Sequence, residues 1–118
     1  MTDRSVLIKR LDKLVSEQVR KERCFLCGGW PTVAAHLIGR RNLRYRWDRD
    51  NVKPMCRWCH DSMDGRMGTP AQVAAHNVLR DQHPHVWEWW QDNKYKKLDG
   101  PLLRSQLEEL LRTTELIT

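Results

Sequence analysis

No apolar run in this chain is long enough to cross a bilayer. The opening Met1-Thr2-Asp3-Arg4 leads straight into charged, amphipathic sequence without the apolar core of a signal peptide. Those two absences point to a cytoplasmic protein with no membrane partner. Internal repeats, low-complexity tracts and long linkers are missing as well, so the 118 residues read as one domain with room for a small core only. Acidic residues are in deficit: 15 stand against 21 Lys and Arg, a formal charge of +6. Much of the excess lies between Arg40 and Arg57, which makes a polyanion the natural partner. Cysteine is scarce too, and all 4 cysteines fall in two Cys-x-x-Cys pairs. In a reducing compartment such pairs are metal ligands far more often than disulfides.

The segments read as an α+β fold. Residues 3–22 form a lead-in helix, with Leu7, Leu11, Leu14, Val15 and Val19 at helical spacing and Thr2 or Asp3 as its cap. Its other face, with Lys9, Arg10, Lys13 and Arg20, reads as solvated surface outside any site. Cys24 to Gly29 is a knuckle-type turn, in which Gly28 and Gly29 free the backbone amides to point at sulfur. Residues 30–37, β-branched at Thr32 and Val33, read as a strand that delivers His36. A polar, arginine-rich loop runs from Gly39 through Arg49, and Asp50 to Met55 reads as the return strand, broken by Pro54 and so at an edge. The second cysteine pair then opens a helix carrying His60 and Met63, ended by Gly65 or Gly68.

Helical support is expected over 69–116. Thr69-Pro70-Ala71-Gln72 combines a capping threonine, proline at the first helical position and a glutamine three residues after the cap, and predicts a helix to about Arg80. Pro84 restarts a helix whose Val86, Trp87, Trp90 and Tyr95 form an aromatic side, ended by Asp99-Gly100-Pro101. Trp87 and Trp90 are expected on the core, with Trp89 exposed or facing a partner. Leu102 to Leu111 reads as an amphipathic helix through which the chain would dimerise or dock.

Two Cys-x-x-Cys turns with 28 residues between them supply four thiolates for a tetrahedral zinc. Cys24, Cys27, Cys56 and Cys59 are the expected ligands of a closed, structural site that clamps the hairpin onto the following helix. Closing it turns His36, at the end of the first strand, toward the helix that carries His60, and Asn51 lies on the return strand between them.

Ala35-His36-Leu37-Ile38-Gly39-Arg40-Arg41, Asn51 and Cys56-Arg57-Trp58-Cys59-His60, with 14 residues from His36 to Asn51 and 8 from Asn51 to His60, resemble the HNH, or ββα-metal, endonucleases. The subgroup is the one clamped by zinc through two Cys-x-x-Cys pairs, and phage recombination nucleases of the NinG type look like the nearest named members. The likeness covers residues 24–64. It implies a treble-clef-like zinc-bound core over 24–66, set in the cytoplasm of a bacterial or phage-infected cell. It also implies an endonuclease that hydrolyses DNA, duplex or branched, with low or structure-dependent sequence specificity. His36 matches the general base and Asn51 the residue that braces the loop and orients it. His60 matches a ligand of a catalytic Mg²⁺ or Mn²⁺. Many members carry a second metal ligand just before the base, where this chain has Ala35, which cannot bind a metal. His83 is the preferred substitute, ahead of Asp50, Asp64, His76 and His85. Asp61 and Asp64 otherwise read as solvated or capping residues.

Arg40, Arg41, Arg44, Arg46 and Arg49 are expected to bind DNA phosphates. Tyr45 and Trp47 either stack on sugar and base or pack beneath the loop. The competing readings are a weak or inactive zinc-stabilised nucleic-acid-binding module, and an adaptor that docks through its last helix.

Overall fold

The computed structural model describes residues 3–65, 68–96 and 102–117. Among them are five helices and one two-stranded sheet: α1 Arg4–Val19, β1 Thr32–His36, β2 Val52–Cys56, α2 Arg57–Met63, α3 Pro70–Gln82, α4 Pro84–Asn93 and α5 Arg104–Ile117. The architecture is α+β, in the expected order of knuckle, hairpin and helix. The helix that Pro84 starts closes at Asn93, before the expected Asp99-Gly100-Pro101, which lies outside the described residues, as does Thr2 as a cap.

Local chemistry accounts for most element boundaries. At α1 the Asp3 carboxylate accepts from the Ser5 amide at 3.2 Å. At α3 the Thr69 hydroxyl accepts from Gln72 N–H at 3.3 Å, while the Gln72 side chain accepts from Gly68 N–H and donates to the Gly65 carbonyl, both at 2.9 Å. The sequence places Pro70 at the first helical position, and the structure agrees. α2 closes earlier than its glycines suggest, at Met63 with Asp64 as cap. α5 begins later than the leucine pattern suggests and runs on to Ile117.

The hairpin is antiparallel, with His36 opposite Val52 and Thr32 opposite Cys56. Pro54 donates nothing to the ladder, and its carbonyl turns outward to accept the Phe25 amide at 2.7 Å, which fastens the knuckle to the edge of β2. At the other strand the Thr32 hydroxyl donates to the Glu22 carbonyl at 2.9 Å and ties the end of α1 to β1.

Because side chains alternate across a strand, the hairpin divides two apolar clusters. One is built on α1: Leu7, Leu11, Val15 and Val19 meet Leu107 and Leu111 of α5, with Trp47, Val52 and Ala34. The other gathers Cys24, Cys59, Ala35, Met55, Met63 and Leu79, with Val86, Trp87 and Trp90 of α4 against it. Each fully buried leucine contributes about 2 kcal/mol. The apolar face of α5 expected to serve a partner is thus largely buried on α1 of the same chain; Leu103 and Leu110 remain exposed.

Candidate functional site

The knuckle forms as its residue types require. Gly28 takes a positive φ of 77°, and its N–H donates to the Cys24 carbonyl at 2.9 Å while Cys24 N–H donates to the Gly29 carbonyl at 3.0 Å. The four sulfurs of Cys24, Cys27, Cys56 and Cys59 lie within 4.8 Å of one another, and Cys27 and Cys56 are 3.6 Å apart. A tetrahedron of zinc–sulfur bonds of about 2.3 Å has edges of about 3.8 Å, so the cluster can hold a zinc ion with little adjustment. Burial opposes ionisation of the Cys24 thiol, but the backbone N–H groups of Cys56, Cys27 and Leu26 outweigh it and bring its pKa down to about 6. Burial and the three neighbouring sulfurs push Cys59 the other way. Four thiolates this close need a cation among them.

His36 stands at the end of β1, half-buried, and its Nε2 lies 3.0 Å from the Arg46 carbonyl. A carbonyl only accepts, so Nε2 carries the proton and the lone pair is on Nδ1. Burial is the main reason its pKa falls below the ordinary histidine value; the Arg46 carbonyl and Asp12 oppose that, and Arg40 and Arg46 add to it. Such a shift favours the neutral ring near pH 7.

Asn51 is fully buried and holds the loop by three bonds. Its Oδ1 accepts from Ile38 N–H at 2.6 Å, and its Nδ2 donates to the carbonyls of Ile38 at 3.0 Å and Tyr45 at 2.9 Å. One side chain thus joins the first residues after β1 to the far side of the arginine loop.

His60 leaves α2 toward the same space. His36, His60 and Asp64 all line a cavity of about 550 Å³, open to solvent, between α1, the hairpin and α2. One turn apart on the helix, His60 Nε2 and Asp64 Oδ2 are 3.1 Å from each other. At that distance the two form an i,i+4 imidazole–carboxylate pair on the wall of the cavity. Asp64, read from sequence as solvated or capping, is also the cap of α2 and lines the cavity. Ala35 borders a smaller recess of about 30 Å³ together with His36, His60 and Asp64. No family model matches the chain, and neither does any curated protein or solved structure.

Three sequence expectations are corrected by position. His83 is not brought to the His36 cavity: its ring stacks on Phe25 at 3.8 Å, and its Nε2 bonds the Phe25 carbonyl at 2.9 Å, so it fastens the α3–α4 junction to the knuckle. Trp89, expected to be exposed or to face a partner, is half-buried and meets Tyr45 edge-on at 5.3 Å. The positive side of α1 is not wholly outside the site, because Arg20 and, above all, Asp12 line the cavity. Asp12 accepts from Arg46 Nε at 2.9 Å and Nη2 at 2.7 Å, and from Trp47 Nε1 at 2.8 Å, with Arg40 at 3.6 Å. Burial works against ionising Asp12, but these donors outweigh it and hold its pKa below the ordinary value. No spacing rule reveals an acid 34 residues from its arginine.

The arginine loop accordingly splits. Arg46 is committed to Asp12 and Arg49 to Glu22, while Arg41 and Arg44 have no acidic partner among the described residues. Tyr45 and Trp47 are buried and pack beneath the loop. Trp87 and Trp90 sit on the second apolar cluster, as expected, edge-on to each other and each edge-on to His76. His85 is exposed.

Proposed function

We propose that this chain is a metal-dependent endonuclease of the HNH, or ββα-metal, type, acting on DNA with little sequence preference. The observation that carries the reading is the convergence of His36, His60 and Asp64 on one open cavity behind a loop that buried Asn51 holds in place. The treble-clef arrangement belongs to the same reading, and its support is the order of knuckle, hairpin and α2 around the four sulfurs.

Each residue then has a chemical task. His36, neutral and with Nδ1 unprotonated, takes a proton from the water that attacks the scissile phosphate. The Arg46 carbonyl keeps the ring in that tautomer, and Asn51 keeps the carbonyl's loop in register. His60 and Asp64 hold Mg²⁺ or Mn²⁺, which when bound neutralises charge on the phosphate and on the departing 3′ oxygen. Arg40, Arg41 and Arg44 contact flanking phosphates, which gives affinity and salt dependence but little sequence information. The products are 5′-phosphate and 3′-hydroxyl ends.

Ala35 favours a second reading, a nucleic-acid-binding module without chemistry, because the cation would have one imidazole and one carboxylate from the protein. Supercoiled plasmid incubated with pure protein and Mg²⁺ or Mn²⁺ separates the two. Nicking that is lost in His36→Ala and in Asp64→Asn supports the nuclease; no nicking in either metal, or nicking unchanged in His36→Ala, leaves the binding module.

A further inference from the structure

Asp12 is the one carboxylate that reaches the His36 cavity from α1, and its neighbours give it a task beyond neutralising charge. Both oxygens of Asp12 are used by two consecutive loop residues: Arg46 through Nε and Nη2 at 2.9 and 2.7 Å, and Trp47 through Nε1 at 2.8 Å. Between the anchored side chains of Arg46 and Trp47 lies the Arg46 carbonyl, the acceptor for His36 Nε2 at 3.0 Å. The preceding carbonyl, that of Tyr45, is held by Asn51 at 2.9 Å. The peptide that fixes the His36 tautomer is thus gripped on one side by Asn51, from within the hairpin, and on the other by Asp12, from a helix outside it. A bidentate pair between arginine and carboxylate sets direction as well as distance, which a single bond to a mobile side chain does not.

We infer that Asp12 is a positioning residue for His36: through Arg46 and Trp47 it aims the Arg46 carbonyl that holds the imidazole with its lone pair toward the cavity. The inference rests on the proposed nuclease for its catalytic meaning, but the positioning itself is a statement about the ring and can be read without activity. α1 becomes a working part of the site, and the Arg46 guanidinium serves the loop and not the substrate.

The test uses the full-length, zinc-loaded chain with ¹⁵N-labelled histidines. Asp12→Asn keeps the shape but removes the charge and one acceptor pair, and Asp12→Glu keeps the carboxylate. In the parent the His36 ring should give the spectrum of a single Nε2–H tautomer. In Asp12→Asn it should become a mixture of tautomers, with faster amide exchange over residues 45–47 and unchanged zinc content. If the parent nicks plasmid, kcat should fall about tenfold in Asp12→Asn with KM nearly unchanged, the pattern of a misaimed group rather than lost binding. Asp12→Glu should recover most of the ring spectrum and the rate. His36 signals identical in parent and Asp12→Asn overturn the inference, as does a parent whose His36 ring is not the Nε2–H tautomer. Should Asp12→Asn fail to fold, Arg46→Lys, which breaks the bidentate pair and keeps the charge, takes its place, and His36 signals identical to the parent then overturn the inference. A parent that cuts nothing in either metal defeats the nuclease reading only, because the ring spectrum still tests what Asp12 does to His36.

Discussion

The two sides of the hairpin are held together in different ways. The α1 side is a conventional core, in which Leu7, Leu11, Val15 and Val19 meet Leu107 and Leu111 through apolar contact alone. The knuckle side has fewer large apolar groups and gathers around four thiols, with Met55, Met63 and Leu79 behind them. The first is stable by burial, and the second gathers four sulfurs that could hold a zinc ion. His36 and Val52 face the α1 side, whereas His60 and Asp64 arrive on α2 from the knuckle side. The candidate site is therefore a seam, and it is complete only when both sides stand.

The largest expected effect comes from stripping the metal. Structural zinc in small domains contributes about 10–16 kcal/mol of binding free energy at pH 7. Chelation should abolish the near-ultraviolet circular dichroism of Trp87 and Trp90 and expose the hairpin amides to exchange, with α1 the last region to lose protection. A tryptophan signal unchanged in protein shown by metal analysis to be zinc-free would end the contrast between the two sides. Next is Leu11→Ala, in the side that needs no metal. Leu11 is fully buried, and its truncation should cost about 3 kcal/mol in urea unfolding while leaving one zinc per chain. Loss of zinc in that variant would mean that the two sides are not separable.

Asn51→Ala strikes the seam itself. It leaves Ile38 N–H and the Ile38 and Tyr45 carbonyls without their partner, which should cost roughly 2 kcal/mol and loosen the loop that orients His36. Amide exchange at residues 38 and 45–47, faster than in the rest of the chain, is the measurement. The smallest effect is on pH. Burial lowers the pKa of both His36 and His76 in the folded chain. The unfolded chain then takes up protons first as pH falls through about 6.5, so stability present above that value is lost toward the lower folded values. The midpoint of urea unfolding should drop between pH 7.5 and pH 5.5, and drop less in His36→Ala; an equal drop in that variant would remove His36 from the account.

Much of this was legible in the residues. The cysteine spacing brings four sulfurs together, Thr69-Pro70 marks the start of α3, and Asn51 bonds both ends of the arginine loop. His36 and His60 were expected on one face and share a cavity. What escaped was Asp12, which the reading of the lead-in helix does not single out, and the contact of Trp89 with Tyr45 on a distant loop. His83, the expected second metal ligand, is instead stacked on Phe25. Asp64 was among the candidates and could not be ranked, although its one-turn spacing from His60 was the available signal.

By itself the sequence determined the parts whose causes lie within a few residues: caps, the glycine turn of the knuckle, strand alternation and the i,i+4 pair of His60 and Asp64. The tertiary structure alone decided which arginines are free and which are tied, that α5 covers α1, and that an acid from α1 reaches the loop beside His36. Caps and turns follow from local backbone geometry, which a few residues dictate. The pairing of Asp12 with Arg46 depends on how two separately folded segments come to lie together, and no local pattern encodes that.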